Sequence, residues 1–119
     1  IAYVGGYLIA ADETTVWKVD AKGKAIKLAQ ADAFPAKIEF LNDVAASKDG
    51  SSVYVTEMSK PSWMFDPDGE RKLWPIGSDK VISPKTGCVY KVTLGGKVSL
   101  AVPAGDDRML GPNGVTVAP

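Results

Sequence analysis

The chain has 119 residues, 45% of them hydrophobic and 24% charged, with 14 basic and 14 acidic side chains that cancel. Those proportions fit one ordinary globular domain or part of a larger one, and the balanced charge argues against nucleic acid or an anionic membrane surface as partner. There is no histidine, which excludes serine–histidine chemistry, and the lone Cys88 excludes an intrachain disulfide or a multi-cysteine metal cluster.

No apolar run approaches the ~20 residues of a membrane-spanning helix. Ile1-Ala2-Tyr3-Val4-Gly5-Gly6 lacks the basic segment of a signal peptide, so the compartment stays open between cytoplasmic and exported. Short runs rich in Val, Tyr, Trp and Thr, bounded by glycine turns, predict strands near 6–12, 15–20, 24–30, 41–47, 52–57, 87–93, 97–103 and 114–118. Asp20-Ala21-Lys22-Gly23, Ser47-Lys48-Asp49-Gly50 and Thr93-Leu94-Gly95-Gly96 supply connecting turns, since Gly permits positive φ and Asp can bond its own backbone. No window holds an apolar 3.6-residue period long enough for a helix, so the chain reads as all-β. Cys88, between Gly87 and Val89 in a strand pattern, reads as a small buried apolar residue.

The chain also repeats. Val16-Trp17-Lys18-Val19 with Gly23-Lys24 returns as Val89-Tyr90-Lys91-Val92 with Gly96-Lys97, an offset of 73 residues. Phe40-Leu41-Asn42-Asp43-Val44 and Gly111-Pro112-Asn113-Gly114-Val115 each set an asparagine at the mouth of an apolar run, 71 residues apart. Cut at the asparagines, the repeat gives a unit of four strands, 41–47, 52–57, 87–93 and 97–103, which is the antiparallel blade of a β-propeller. In that register residues 1–37 are the end of one blade, with three strands. Residues 38–110 are a complete blade interrupted by an insertion at 58–86, and 111–119 open the next. Two blades leave faces and edges uncovered, so the expected partner is the remainder of the propeller, from the same parent chain or from partner chains.

The insertion holds four of the eight prolines and two of the three tryptophans, and long loops of this kind tend to be lids or binding loops. It is expected on the same face as Asn42 and Asn113, with Trp63, Met64, Phe65 and Trp74 as an apolar wall over the central channel. An asparagine carbonyl is a neutral, hard oxygen ligand suited to Ca²⁺ or Mg²⁺, so Asn42 and Asn113 are candidate metal ligands. The alternative for an asparagine before a strand is that it satisfies turn backbone. Asp43 is a candidate ligand for a second, structural cation. Glu57 is a candidate catalytic carboxylate, with a rim charge in water as the alternative. Asp66-Pro67-Asp68-Gly69 has the composition of a turn, since the spacing of a calcium loop is absent. Asp106, Asp107 and Arg108, and Arg71 and Lys72 in the insertion, are loop charges that could meet a substrate or solvent.

Phe40-Leu41-Asn42-Asp43-Val44-Ala45, then Asp49-Gly50 and Val53-Tyr54-Val55-Thr56-Glu57-Met58, then Gly87-Cys88-Val89-Tyr90 and Pro112-Asn113-Gly114, resemble in order the motifs of the regucalcin/gluconolactonase family. Paraoxonase, diisopropylfluorophosphatase and strictosidine-synthase-like proteins are related to it. The resemblance covers residues 38–119 and implies a six-bladed propeller with divalent-metal-dependent hydrolysis of lactones, or of phosphotriesters in some relatives. It implies Asn42 and Asn113 at a catalytic cation, most naturally Ca²⁺, with Mg²⁺, Mn²⁺ or Zn²⁺ as alternatives, and Asp43 at a structural calcium. Two departures stand out. The family's other ligands, a glutamate from an early blade and an aspartate or asparagine from a later one, are not among these residues. Phe40 stands where sugar-lactone members carry arginine, which with the insertion points to a more apolar small-molecule substrate contacting Phe40, Trp63 and Trp74. Two other functions are compatible with the same residues: a non-enzymatic binding module using the insertion, and a metal-independent strictosidine-synthase-like scaffold using Glu57.

Overall fold

Glycine pairs and aspartate-stabilised turns cut the chain into short extended runs, and each run pairs with its neighbour in sequence. The computed structural model describes residues 1–69, 72–75 and 77–118. Eight strands are found among them: β1 (Ala2–Val4), β2 (Tyr7–Ala11), β3 (Val16–Val19), β4 (Ala25–Ala29), β5 (Leu41–Ala46), β6 (Ser52–Glu57), β7 (Cys88–Thr93) and β8 (Val98–Val102). They form two four-stranded antiparallel sheets in the orders β1-β2-β3-β4 and β5-β6-β7-β8. The only helices among the described residues are two short 3₁₀ turns, Ala31–Ala33 and Pro61–Met64, and no helix is long and apolar enough to cross a membrane.

β1 is the strand that the sequence reading leaves out, so the first sheet has four strands instead of three. Val4 pairs with Tyr7 across Gly5-Gly6, whose φ values of 57° and 86° are those of a two-residue hairpin turn. Residues 114–118, expected as a strand, are assigned none. A strand exists through its ladder, and no described strand lies in register with them. The backbone N–H of Val115 goes instead to the Asp43 carboxylate, at 3.0 Å.

The two sheets bury one face against each other, with β1 and β2 against β5. Val4, Ile9, Val16 and Ala29 from the first sheet meet Leu41, Val44, Val53, Val55, Cys88, Tyr90 and Val92 from the second. The alternation of Val53 and Val55, paired with Val92 and Tyr90, puts all four on this inner face. Phe34, from the segment joining the sheets, closes the core edge-on to Tyr90, with ring centroids 5.0 Å apart. Cys88 is buried as expected, and burial pushes its thiol pKa up.

The two ends of the sheets are tied differently. At one end lie the turns β1–β2, β3–β4, β5–β6 and β7–β8, where Lys18 Nζ donates to the Leu94 carbonyl at 2.8 Å across the sheets. The Leu94 methyl group also stands 2.5 Å from where a Cβ on Gly5 would be. At the other end lie the β2–β3 turn, the segment 30–40, the insertion 58–86 and the segment 103–113. Antiparallel order within each sheet, together with the Leu41 N–H on the Glu13 carbonyl at 2.9 Å between the sheets, brings these four connections and the start of β5 to one end.

Candidate functional site

β5 begins with an irregularity that positions two side chains. Leu41 pairs with Glu57 and Val44 with Val55, so Asn42 and Asp43 together stand opposite the single residue Thr56. That is a β-bulge, a device that re-aims side chains and is frequent beside active sites. Within it the Asp43 N–H donates to Thr56 Oγ1 at 2.9 Å, and Thr56 is fully buried. Two polar residues in succession, Asn42-Asp43 inside an alternating pattern, are the local sign of the bulge, in a segment expected as an uninterrupted strand.

Asn42 is half-buried, and its Nδ2 donates to the Met58 sulfur at 3.3 Å. No described residue donates to its carbonyl oxygen. Asn113 is exposed, and its side chain makes no hydrogen bond to any described residue. Neither amide therefore serves turn backbone, the alternative weighed for both. What ties Val115, two residues after Asn113, to the bulge is Asp43. Its Oδ2 accepts the Val115 N–H at 3.0 Å, and its Oδ1 accepts the Val44 N–H at 2.8 Å. The Val115 bond is the main cause that holds the Asp43 pKa below its ordinary value, against the opposing effect of burial. Both oxygens of this candidate for a structural cation are thus already engaged by backbone.

Glu57 differs from the expected rim charge. It is 3% exposed and lies on the inner face, paired with Leu41 and Cys88. Its Oε1 accepts the N–H of Phe40 at 3.0 Å and of Ser59 at 2.9 Å. Its Oε2 accepts the Glu39 and Phe40 N–H groups, both at 3.2 Å. A buried charge needs such partners, and three backbone donors supply them. Glu57 thereby fixes the approach to β5 and the root of the insertion. Ser59, fully buried and held at φ 70°, accepts the Thr86 hydroxyl at 2.7 Å, which closes the insertion at its far root.

The insertion folds into a small ribbon. Phe65 and Leu73 form a β-bridge, and Asp66-Pro67-Asp68-Gly69 turns as expected, with the Gly69 N–H on the Asp66 carbonyl at 3.1 Å and the Asp68 N–H on Asp66 Oδ1 at 3.0 Å. Arg71, one of the loop charges singled out from the sequence, lies outside the described residues, and Lys72 is exposed. Trp63 packs on the segment before Asn113, its ring carbon 3.0 Å from where a Cβ on Gly111 would be. Its indole N–H is sealed from solvent with no hydrogen-bond partner among the described residues. Trp74 is half-buried and lines a cavity of about 420 Å³ with Trp63, Met64, Leu73 and Val81. Lys80 Nζ stands over its ring at 5.0 Å. Phe40 lines a different, larger cavity of about 840 Å³ with Ile38, Pro61, Phe65 and Pro67, rimmed by Glu13 and Lys60. The three proposed substrate contacts are therefore divided between two cavities at one end of the sheets.

The loop charges neutralise one another. The Arg108 guanidinium grips Asp106 through Nε and Nη2, at 2.9 and 2.6 Å, and holds the Asp106 pKa at about 2. Asp107 pairs with Lys85 of the insertion.

The donor set bears on the cation that the family resemblance implies. Two amide carbonyls without protein donors suit one side of a hard-cation shell, which takes six to eight oxygens for Ca²⁺. Among the described residues no cluster of three or more Asp, Glu, Cys or His side chains could hold a metal. Asn42 and Asn113 offer neutral amide oxygens of the kind such an ion takes. The comparisons with family models, with curated proteins and with solved structures return no match to this chain.

Proposed function

We propose that this chain forms two consecutive blades of a propeller of the regucalcin/gluconolactonase type and contributes to a divalent-metal-dependent lactone hydrolase. The observation that carries the reading is that Asn42 and Asn113, repeated in sequence, flank one bulge-and-clasp arrangement with amide oxygens that no described residue uses. Two successive four-stranded meanders, packed face to face, support the propeller. A cation bound by Asn42 and Asn113, most naturally Ca²⁺, would polarise the carbonyl of a lactone or related ester.

The chain's own residues supply the rest. Asp43 holds the Asn113 segment against β5, and Glu57 anchors the backbone just before Asn42. Its carboxylate is occupied by backbone donors, which speaks against a general-base role and against the metal-independent scaffold. The apolar lining around Phe40 and the Trp63–Trp74 wall favour a small-molecule substrate with an apolar body over a sugar lactone. Trp63 packs inward on Gly111, so it offers little to a protein partner of a purely binding module.

The test is a calcium titration by calorimetry, repeated with Mg²⁺, Mn²⁺ and Zn²⁺ and paired with hydrolysis of an apolar lactone. With two amide ligands the affinity expected is on the order of 10⁻³ M, the weak end of protein calcium sites. Asn42→Ala should weaken it about tenfold, the equivalent of one lost ligand at ~1.4 kcal/mol. Absence of cation binding, together with activity unchanged in Asn42→Ala, would refute the hydrolase reading.

A further inference from the structure

A regular antiparallel ladder would send the N–H of a bonded residue to a backbone carbonyl on the facing strand. At the bulge the Asp43 N–H goes to a side chain, Thr56 Oγ1, at 2.9 Å. Thr56 has no exposed surface, so water cannot replace its hydroxyl there. Removing that acceptor leaves two outcomes. Either the Asp43 N–H is buried without a partner, or the bulge straightens and the strand slips by one residue, which carries Asn42 to the opposite face.

The consequences run outward in both directions. Asp43 can offer its carboxylate to the Val115 N–H only while the bulge directs it there. Asn42 keeps its amide nitrogen on Met58, the residue that follows β6, only in the same register. We infer that Thr56 is a positioning residue for the candidate Asn42–Asn113 site: its buried hydroxyl holds the bulge that sets Asn42 in place and aims Asp43 at Val115, two residues after Asn113. The inference rests on the cation reading for its purpose but on hydrogen bonding for its mechanism, so the two can fail separately.

The variants are Thr56→Val, which keeps the shape and removes the acceptor, and Thr56→Ser, which keeps the acceptor. Amide hydrogen exchange is measured by NMR without added metal, and calcium binding is titrated on the same samples. In Thr56→Val the Asp43 and Val115 amides should exchange about tenfold faster, as for one lost hydrogen bond, while Val53 and Val55 change far less. The Asn42 side-chain amide resonances should move, and calcium affinity should fall about tenfold. Thr56→Ser should restore all of these to within about threefold of wild type. If Thr56→Val does not fold, Thr56→Ala is read in the same way.

Unchanged Asp43 and Val115 exchange in Thr56→Val would overturn the inference, as would a uniform rise along β5 and β6 that Ser does not rescue. If the wild-type chain binds no calcium, the cation reading falls, and the exchange of Asp43 and Val115 alone decides for or against Thr56.

Discussion

Replacing Glu57 by glutamine removes a charge while keeping the side chain's shape, and its cost follows from the geometry. The carboxylate is 3% exposed and accepts from three backbone N–H groups, those of Glu39, Phe40 and Ser59. A glutamine carbonyl can keep the donors on one side. Its NH₂ then faces the donors on the other, which lose their acceptor without reaching water. Hydrogen bonds to charged groups contribute about 1.5–3 kcal/mol each, so losing one or two gives a cost of about 1.5–6 kcal/mol. Against a typical total of 5–15 kcal/mol that is a large fraction. In a chain of 119 residues it corresponds to a fall in Tm of roughly 6–24 °C, at about 4 °C per kcal/mol. Urea unfolding followed by circular dichroism at pH 7 measures it. A Glu57→Gln variant within about 0.5 kcal/mol of wild type, the range of ordinary surface substitutions, would show that the carboxylate does not anchor these backbone segments.

Two further substitutions test the neighbouring ties. In Gly87→Ala the new Cβ would stand 2.5 Å from Pro112 Cδ and 3.4 Å from the Glu57 and Met109 carbonyl oxygens. The ring and backbone around it have little room to shift, so the chain should lose about 1–3 kcal/mol, with a change in the fluorescence of Trp63 above Gly111; equal stability and spectrum would contradict the close approach. Asp43→Asn tests the clasp on Val115 through pH. The folded-state pKa of Asp43 is lowered from 3.8, so its contribution is present above that value and is lost as pH falls through the lower folded value. Wild type should therefore be more stable than Asp43→Asn at pH 7, and the gap should close at acid pH. A gap independent of pH would refute the ionic clasp.

Seven of the eight strands were legible in the sequence to within a residue or two of each end, because alternating Val, Tyr and Thr between glycine turns leaves few other conformations. β1 escaped because three residues carry too short an alternation, although Val4-Gly5-Gly6-Tyr7 is itself a hairpin signal. The Val115-Thr116-Val117 pattern alternates equally well, yet alternation only makes a segment fit for pairing. Pairing needs a second strand, which local pattern does not encode. Asn42 and Asn113 were found through repetition. Thr56 was not, since a threonine in a strand is ordinary until the register shows which amide it serves. Glu57 was misjudged for a related reason: a terminal strand glutamate looks solvent-facing unless the returning backbone of Glu39 and Phe40 is known to cover it.

The unlike fastening of the two ends has a consequence for how the molecule opens. Away from the candidate site the sheets are joined by a lysine on a backbone carbonyl and by a leucine fitted over a glycine, neither of which involves a carboxylate. At the site end the Leu41 N–H on the Glu13 carbonyl, at 2.9 Å, also ties the sheets, while the Asp43 carboxylate on Val115 fastens the Asn113 segment to β5. The sheets are thus joined at both ends, and the Asn113 segment is latched onto one of them. Protonation of Asp43 in acid should release the segment around Asn113 as a local unit while the paired sheets stay together.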